Sequence, residues 1–206
     1  MQQIRKTATI NSKTKTTYGL ILIPIGIAIN IIGGMIAKQL GLPIFMDSIG
    51  TIIVAAIMGP LIGGSTGLLT NIVFGLIRGD VLSMAFGLAN MSTGLIVGFM
   101  AKYGKFKNWI HLSIAAVFIT IANSLIAAPI VVILYGGVSG AGVDLLVAGV
   151  LAAGKNILSS AFLARLPVNL VDKGIAITVA FLILTKLPDN MKNLIPKSKK
   201  KADIAS

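Results

Sequence analysis

Long apolar segments separated by short polar breaks dominate this chain. A run of about 20 apolar residues is long enough to cross the hydrocarbon core of a bilayer as a helix. We predict six such spans, at residues 18–37, 47–58, 61–77, 83–101, 109–134 and 168–187. Glycine and proline mark the breaks, as in Gly41-Leu42-Pro43 and Gly59-Pro60. The pattern therefore predicts an all-α membrane protein built as a six-transmembrane-helix bundle.

Residues 143–166 are the exception to this pattern. They are apolar enough to cross a membrane, yet they include Asp144, Lys155, Asn156 and Arg165. A charged side chain at the middle of a bilayer costs at least about 2.5 kcal/mol. We therefore predict an extra helical element here, on the outer side between spans five and six.

The positive charges predict how the chain is oriented. Of the 18 Lys and Arg residues, 13 fall in three clusters: Arg5, Lys6, Lys13 and Lys15; Lys102, Lys105 and Lys107; and Lys186, Lys192, Lys197 and Lys199 to Lys201. Short basic loops tend to stay in the cytoplasm. Four predicted crossings separate the first two clusters, and two separate the second from the third. The sequence thus predicts a cytoplasmic basic tail (1–17), a membrane domain (18–188) and a cytoplasmic polybasic tail (189–206).

Composition agrees with a multi-pass protein of the plasma membrane and argues against several functions. The mean hydropathy is +0.93, and the basic clusters that give a net charge of +12 are explained by topology and lipid headgroups rather than by nucleic acid. Cysteine and glutamate are absent, and His111 is the single histidine. Hydrolytic triads and metal sites need several such groups together. We therefore predict no enzyme activity, no metal and no cofactor.

Polar residues near the predicted outer span ends suggest a binding site. Nine charged residues fall there: Lys38, Asp47, Arg78, Asp80, Asp144, Lys155, Arg165, Asp172 and Lys173. Amide side chains both donate and accept hydrogen bonds, so they suit a neutral heterocycle or a sugar. The predicted substrate-binding residues are Asn90, Asn123, Lys155, Asn156, Asn169 and Asp172, followed by Asp47 and Arg165. An asparagine in an apolar helix can equally form an interhelical hydrogen bond.

Small residues recur at four-residue spacing in several spans. Such rows let helix backbones approach closely. The rows at Gly59, Gly63 and Gly67 and at Gly94 and Gly98 fit packing within the bundle. The row Gly26, Asn30 and Gly34 fits either the same packing or a contact between the first span and a second membrane protein.

Two sequence stretches resemble the substrate-binding S components of energy-coupling factor (ECF) transporters. One is Ile44-Phe-Met-Asp47-Ser-Ile-Gly50-Thr-Ile with the following Met58-Gly59-Pro60-Leu-Ile-Gly63-Gly64-Ser-Thr-Gly67-Leu-Leu-Thr70-Asn71. The other is Leu166-Pro167-Val-Asn169-Leu-Val-Asp172-Lys173. The resemblance implies binding of a small vitamin or vitamin-like solute near the outer face. It also implies two kinds of partner, a transmembrane coupling subunit and two cytoplasmic ATPase subunits. The coupling subunit would contact small residues of the first span, for which Gly26, Asn30 and Gly34 form the nearest row.

A stand-alone secondary transporter of a small polar solute is the alternative function. Such carriers usually show inverted repeats and ion-coupling acids near the membrane midplane, and neither is evident here.

A second expectation concerns access to the site. Glycines 136, 137, 140 and 142 give the connection after span five unusual backbone freedom. We expect this loop either to close over the site, against a fixed 41–43 turn, or to serve only as a connector.

Overall fold

The computed structural model describes residues 12–188, and all the described residues are in helices or in the turns between them. The α-helices are α1 (Ser12–Gln39), α2 (Ile49–Met58), α3 (Pro60–Arg78), α4 (Gly87–Lys102), α5 (Trp109–Tyr135), α6 (Asp144–Ala152) and α7 (Ile157–Lys186), and a 3-10 helix (Val81–Phe86) precedes α4. The predicted all-α class is confirmed. The C-terminal tail (189–206) lies outside the described residues, as do residues 1–11 of the N-terminal tail.

Five helical segments within the described range are long and apolar enough to cross a membrane: Thr17–Gln39, Pro60–Arg78, Val81–Lys102, Trp109–Tyr135 and Ile157–Lys186. The predicted count of six spans is not confirmed, because α2 has only 10 residues and rises about 15 Å. The α2 helix nevertheless runs antiparallel to α1. Its start, Gly50, lies against Gly26, and the Met58 side chain at its end lies beside Gly19.

The segment before α2 cannot extend that helix, because its backbone is bound elsewhere. The N–H groups of Phe45 and Met46 donate to Oδ1 of Asp172, at 3.1 and 2.7 Å. Met46 also has a positive φ of 52°, outside the helical region. Ser48 is the residue that precedes the first turn of α2, which agrees with the predicted start of this element.

Glycines bring α3 and α4 into backbone contact, as their spacing predicts. A Cβ atom on Gly94 would overlap the backbone of Gly63, and one on Gly67 would overlap the backbone of Asn90. The buried core lies beside this pair and is formed largely by α2, with Ile52, Val54 and Ile57 almost fully enclosed. This packing fixes the α4 polar residues relative to α3.

The predicted extra element is shorter than expected, which is a correction to the 143–166 boundary. Only Asp144–Ala152 forms a separate helix, whereas residues 157–166 begin α7, which continues through Pro167 to Lys186. A proline within an apolar helix is tolerated because neighbouring groups compensate for its missing N–H. Val143 and Val147 pack against Ala164 and Val168, so α6 is held against the first turns of α7.

Candidate functional site

A cavity of about 470 Å³ opens at the end of the bundle where α1, α3 and α5 finish and α2, α4 and α7 begin. Its volume is within the range of pockets that bind small organic molecules, roughly 300–1,000 Å³. Its polar lining residues are Lys38, Asp47, Asn71, Arg78, Asp80, Ser83, Asn90, Asn123, Tyr135, Ser139, Arg165, Asn169 and Lys173. Phe45, Phe74 and Phe86 add aromatic surface. The cavity therefore combines apolar walls with several hydrogen-bonding groups.

Five of the eight predicted substrate-binding residues line this cavity: Asn90, Asn123, Asn169, Asp47 and Arg165. Asp172 lies behind the wall, where it is 1% exposed and holds the backbone of Phe45 and Met46. Lys155 and Asn156 are exposed and lie outside the lining. The Asn156 side chain accepts a hydrogen bond from Ser159 N at 2.8 Å. It therefore caps the start of α7, the role that asparagine commonly has at this position.

Three asparagines hold the cavity wall together across helices. Asn90 donates from Nδ2 to the backbone oxygen of Asp47 at 2.9 Å and to Oδ1 of Asn71 at 3.2 Å. Asn123 bridges to Ser92 and Thr93 of α4. The Oδ1 atom of Asn90 is buried without a hydrogen-bond partner. The two acceptors fix the amide orientation, and this oxygen is left as an unused acceptor within the cavity wall.

A buried charge cluster closes the floor of the cavity. Lys173 Nζ lies 2.7 Å from Oδ2 of Asp172 and 3.4 Å from Oδ1 of Asp47, and it donates to Ser48 Oγ at 2.8 Å. Burial raises the pKa of the Asp47 carboxyl, and the Lys173 ammonium opposes that rise. One cation is shared by two carboxylates. The cluster thereby ties α7 to the segment between α1 and α2.

Arg165 is buried in the same wall but has far fewer partners. Its side chain is 2% exposed, and Nη1 donates to the carbonyl of Ala161 one turn earlier, at 3.0 Å. The Nε atom is buried with no hydrogen-bond partner. Among the described residues, no carboxylate oxygen lies within the 4.0 Å of an ion pair with this guanidinium. Arg165 therefore presents unused donors beside the cavity.

The loop between α5 and α6 lies over the cavity and contacts the opposite rim. Asp144 accepts hydrogen bonds from the N–H groups of Ser139, Gly140 and Ala141, at 2.9, 2.7 and 3.1 Å. Gly142 lies against the backbone of Leu42 and Pro43, where a Cβ would approach both at 3.0 Å. Residues 139–143 and 41–43 thus meet across one side of the opening.

Several lining residues were not among those predicted to bind substrate: Lys38, Asn71, Arg78, Asp80, Tyr135 and Lys173. Lys38, Arg78, Asp80 and Lys173 are among the charged residues predicted at the outer span ends. That position was the sequence signal that could have identified them as lining residues. Tyr135 had no such signal. Its hydroxyl lies 3.2 Å from Oδ1 of Asp80, and its ring stacks on Phe86 with centroids 5.9 Å apart.

The row Gly26, Asn30 and Gly34 faces the interior of the chain. Asn30 donates from Nδ2 to Thr51 at 2.8 Å and to Thr70 at 3.0 Å, and its Oδ1 accepts from Gly50 N at 2.7 Å. Gly26 lies against Val54 and Thr66. Of the two predicted uses of this row, the structure shows the packing of α1 against α2 and α3.

Comparison with known proteins supplies the family. The family described as "ECF transporter, substrate-specific component" matches residues 19–184, which is most of the chain. The searches of curated proteins and of solved structures found no match. Members of this family bind a small substrate and work with membrane and ATPase components in a bilayer. The matched range includes all seven α-helices except the ends of α1 and α7, so the chain belongs to the substrate-specific components of ECF transporters.

Proposed function

We propose that this substrate-specific component captures a small vitamin-like solute in the 470 Å³ cavity at the outer face and delivers it inward. The observation that supports this most directly is the set of buried polar groups on the cavity wall. Asn90 Oδ1 and Arg165 Nε have no partner within the described residues. Buried polar groups in native proteins are normally satisfied, so a bound solute would complete this wall.

The proposed binding residues are Asn90, Asn123, Asn169 and Arg165, with Asp47 at the floor. Each lines the cavity; Arg165 and Asn169 lie one turn apart on α7, and the other three come from α4, α5 and the segment before α2. Lys155 and Asn156 are left out because they are exposed outside the lining. Asp172 is given a supporting role, because its carboxylate is directed at the backbone before α2.

The outer location rests on a topology with both termini in the cytoplasm. The α2 helix returns the chain from the cavity end toward the level of Gly19, so the chain changes direction as six passages would require. Cysteines introduced singly at 40 and 105 test this, since the natural chain contains none. An impermeant thiol reagent outside intact cells should label position 40 and spare position 105. Labelling of position 105 alone would show that the chain has the opposite orientation in the membrane.

Delivery requires a transmembrane coupling subunit and two cytoplasmic ATPase subunits in this proposal. The row Gly26, Asn30 and Gly34 is not part of the proposed contact with the coupling subunit, since it faces α2 and α3. Proteoliposomes containing the chain with the ATPase module should accumulate a labelled vitamin-like solute only when ATP is enclosed with the ATPases. Uptake by the chain alone under a proton or sodium gradient would instead establish a stand-alone secondary transporter.

We also propose that residues 136–143 act as a lid. In the structure this loop contacts the 41–43 turn through Gly142, and three of its N–H groups are bound by Asp144. Spin labels at positions 43 and 139 would report the distance between the 41–43 turn and this loop. Saturation with solute should narrow their distance distribution, whereas an unchanged distribution would make the loop a connector.

A further inference from the structure

We propose that the solute carries one carboxylate, which Arg165 binds inside the cavity; this inference rests on the proposed function. Arg165 is the one buried cation of the described cavity wall that lacks an ion pair. Its guanidinium has five N–H donors, and the structure uses Nη1 alone, in a bond to Ala161 within the same helix. A carboxylate matches the planar guanidinium with two parallel hydrogen bonds.

The carboxylates of the chain that could neutralise Arg165 are already bound by other groups. Asp144 attracts Arg165 electrostatically, but its oxygens accept from Ser139, Gly140 and Ala141. Asp80 accepts from Ser83 and Tyr135. Asp47 is paired with Lys173. No described carboxylate of the chain therefore lies at ion-pair distance from Arg165, which leaves that contact available to an anion from outside the chain.

Burial makes the lack of an ion pair costly. The Arg165 side chain is almost fully buried, and a buried charge without a partner is strongly unfavourable. Residues of the chain could have supplied a permanent partner, as they do for Lys173. An unpaired cation facing a cavity is instead typical of a site that an anionic ligand completes.

The balance of charge favours a carboxylate over a phosphate. Arg165 offers a single buried positive charge, and Asp144, which lies beyond ion-pair distance, offsets only part of it. A phosphate monoester carries close to two negative charges at neutral pH, so one would remain without a partner in a site of low dielectric.

Matched pairs of acid and neutral compounds test this inference on the purified full-length chain in lipid nanodiscs. The probes are nicotinate and nicotinamide, biotin and biotin amide, and pantothenate and panthenol, compared at constant ionic strength by thermal unfolding and calorimetry. At least one acid should bind about 10- to 100-fold more tightly than its neutral partner, the range expected for a charge-assisted hydrogen bond. Arg165→Gln should abolish that difference, and Arg165→Lys should retain part of it because lysine keeps the charge without the planar fork.

One control variant and two contrary outcomes make the result decisive. Lys102→Gln removes an exposed cation at the far end of α4 and should leave the acid preference unchanged. Equal binding of acid and neutral partners, or equal binding of the acid by wild type and Arg165→Gln, overturns the inference while leaving a solute-binding cavity. Failure of every acid to bind also overturns it. The proteoliposome uptake assay then decides separately whether the chain delivers a solute.

Discussion

Two buried cations on the same helix differ in the partners that the chain gives them. Lys173 and Arg165 lie two turns apart on α7, and both are 2% exposed. Lys173 has two carboxylates and a hydroxyl as partners. Among the described residues, Arg165 has one carbonyl from its own helix. The ligand-binding role that we propose for Arg165 rests on this difference in partners, since the burial of the two cations is the same.

The largest expected effect is a loss of stability on removing the paired cation. Lys173→Met leaves two carboxylates facing each other without their shared cation, and breaking one side of a buried ion pair costs about 3–5 kcal/mol. Arg165→Met is the matched control, because it removes a cation that pairs with no carboxylate of the chain. Because this buried charge lacks an ion pair, its removal should leave the unfolding free energy without solute unchanged or raise it. Unfolding in micelles measures the free energy of each variant. Equal losses would contradict the distinction between a paired Lys173 and an unpaired Arg165.

Asp172 should be the second most sensitive position. Asp172→Asn removes the charge 2.7 Å from Lys173 and weakens the acceptor for the N–H groups of Phe45 and Met46. Hydrogen bonds to charged groups are worth about 1.5–3 kcal/mol each, so we expect a loss in that range. Because these bonds hold the cavity rim, hydrogen exchange at 45 and 46 should also accelerate. Unchanged exchange there would contradict the role given to Asp172.

Asp144→Asn should have a smaller effect, and it should act on binding. The amide oxygen can still accept from the 139–141 N–H groups, while the negative charge that attracts Arg165 is lost. An acid probe should then bind about two- to fivefold more tightly, as expected for a charge interaction screened by water and salt. Calorimetry with the tightest acid of the probe panel measures this. Weaker binding would show that the carboxylate of Asp144 is needed to keep the loop in place.

The smallest effect is expected at Asp47, the more distant and more exposed carboxylate partner of Lys173. Its Oδ1 lies 3.4 Å from Lys173 Nζ, against 2.7 Å for Asp172, and its side chain is 25% exposed, against 0%. Asp47→Asn should therefore lower the unfolding free energy by about 1 kcal/mol or less, the range of a partly exposed ion pair. Unfolding of the Asp47→Asn and Asp172→Asn variants in micelles compares the two losses. A loss for Asp47→Asn as large as that for Asp172→Asn would contradict the prediction.

The sequence predicted the elements well because hydropathy, glycine and proline act locally. The start of α2 after Ser48 and the turn at Gly59-Pro60 follow from such signals. The cavity end was predictable in outline, since charges at span ends must gather at one level. The pairing of those charges was not, because it depends on how each helix is rotated. Asn90 and Asn156 look equivalent in sequence, yet one faces the cavity and the other caps α7.

The boundary at 166 was wrong for a related reason. The charged residues of 143–166 suggested that this stretch is separate from the span at 168–187, but α7 runs from Ile157 through Pro167 to Lys186 without interruption. A buried guanidinium could be placed inside a helix because it borders a cavity, which sequence alone does not show.

The unbroken length of α7 has a consequence for depth in the bilayer. At 1.5 Å per residue, Lys173 is about 20 Å and Arg165 about 31 Å along the helix axis from Lys186. The hydrocarbon core is about 30 Å thick. With Lys186 at one headgroup layer, Lys173 lies at hydrocarbon depth, where a lone charge is expensive, and Arg165 reaches the opposite headgroup layer. The helix thus carries one ammonium at a depth where carboxylates of the chain must neutralise it and one guanidinium at the level of the headgroups, where we propose that a solute arrives.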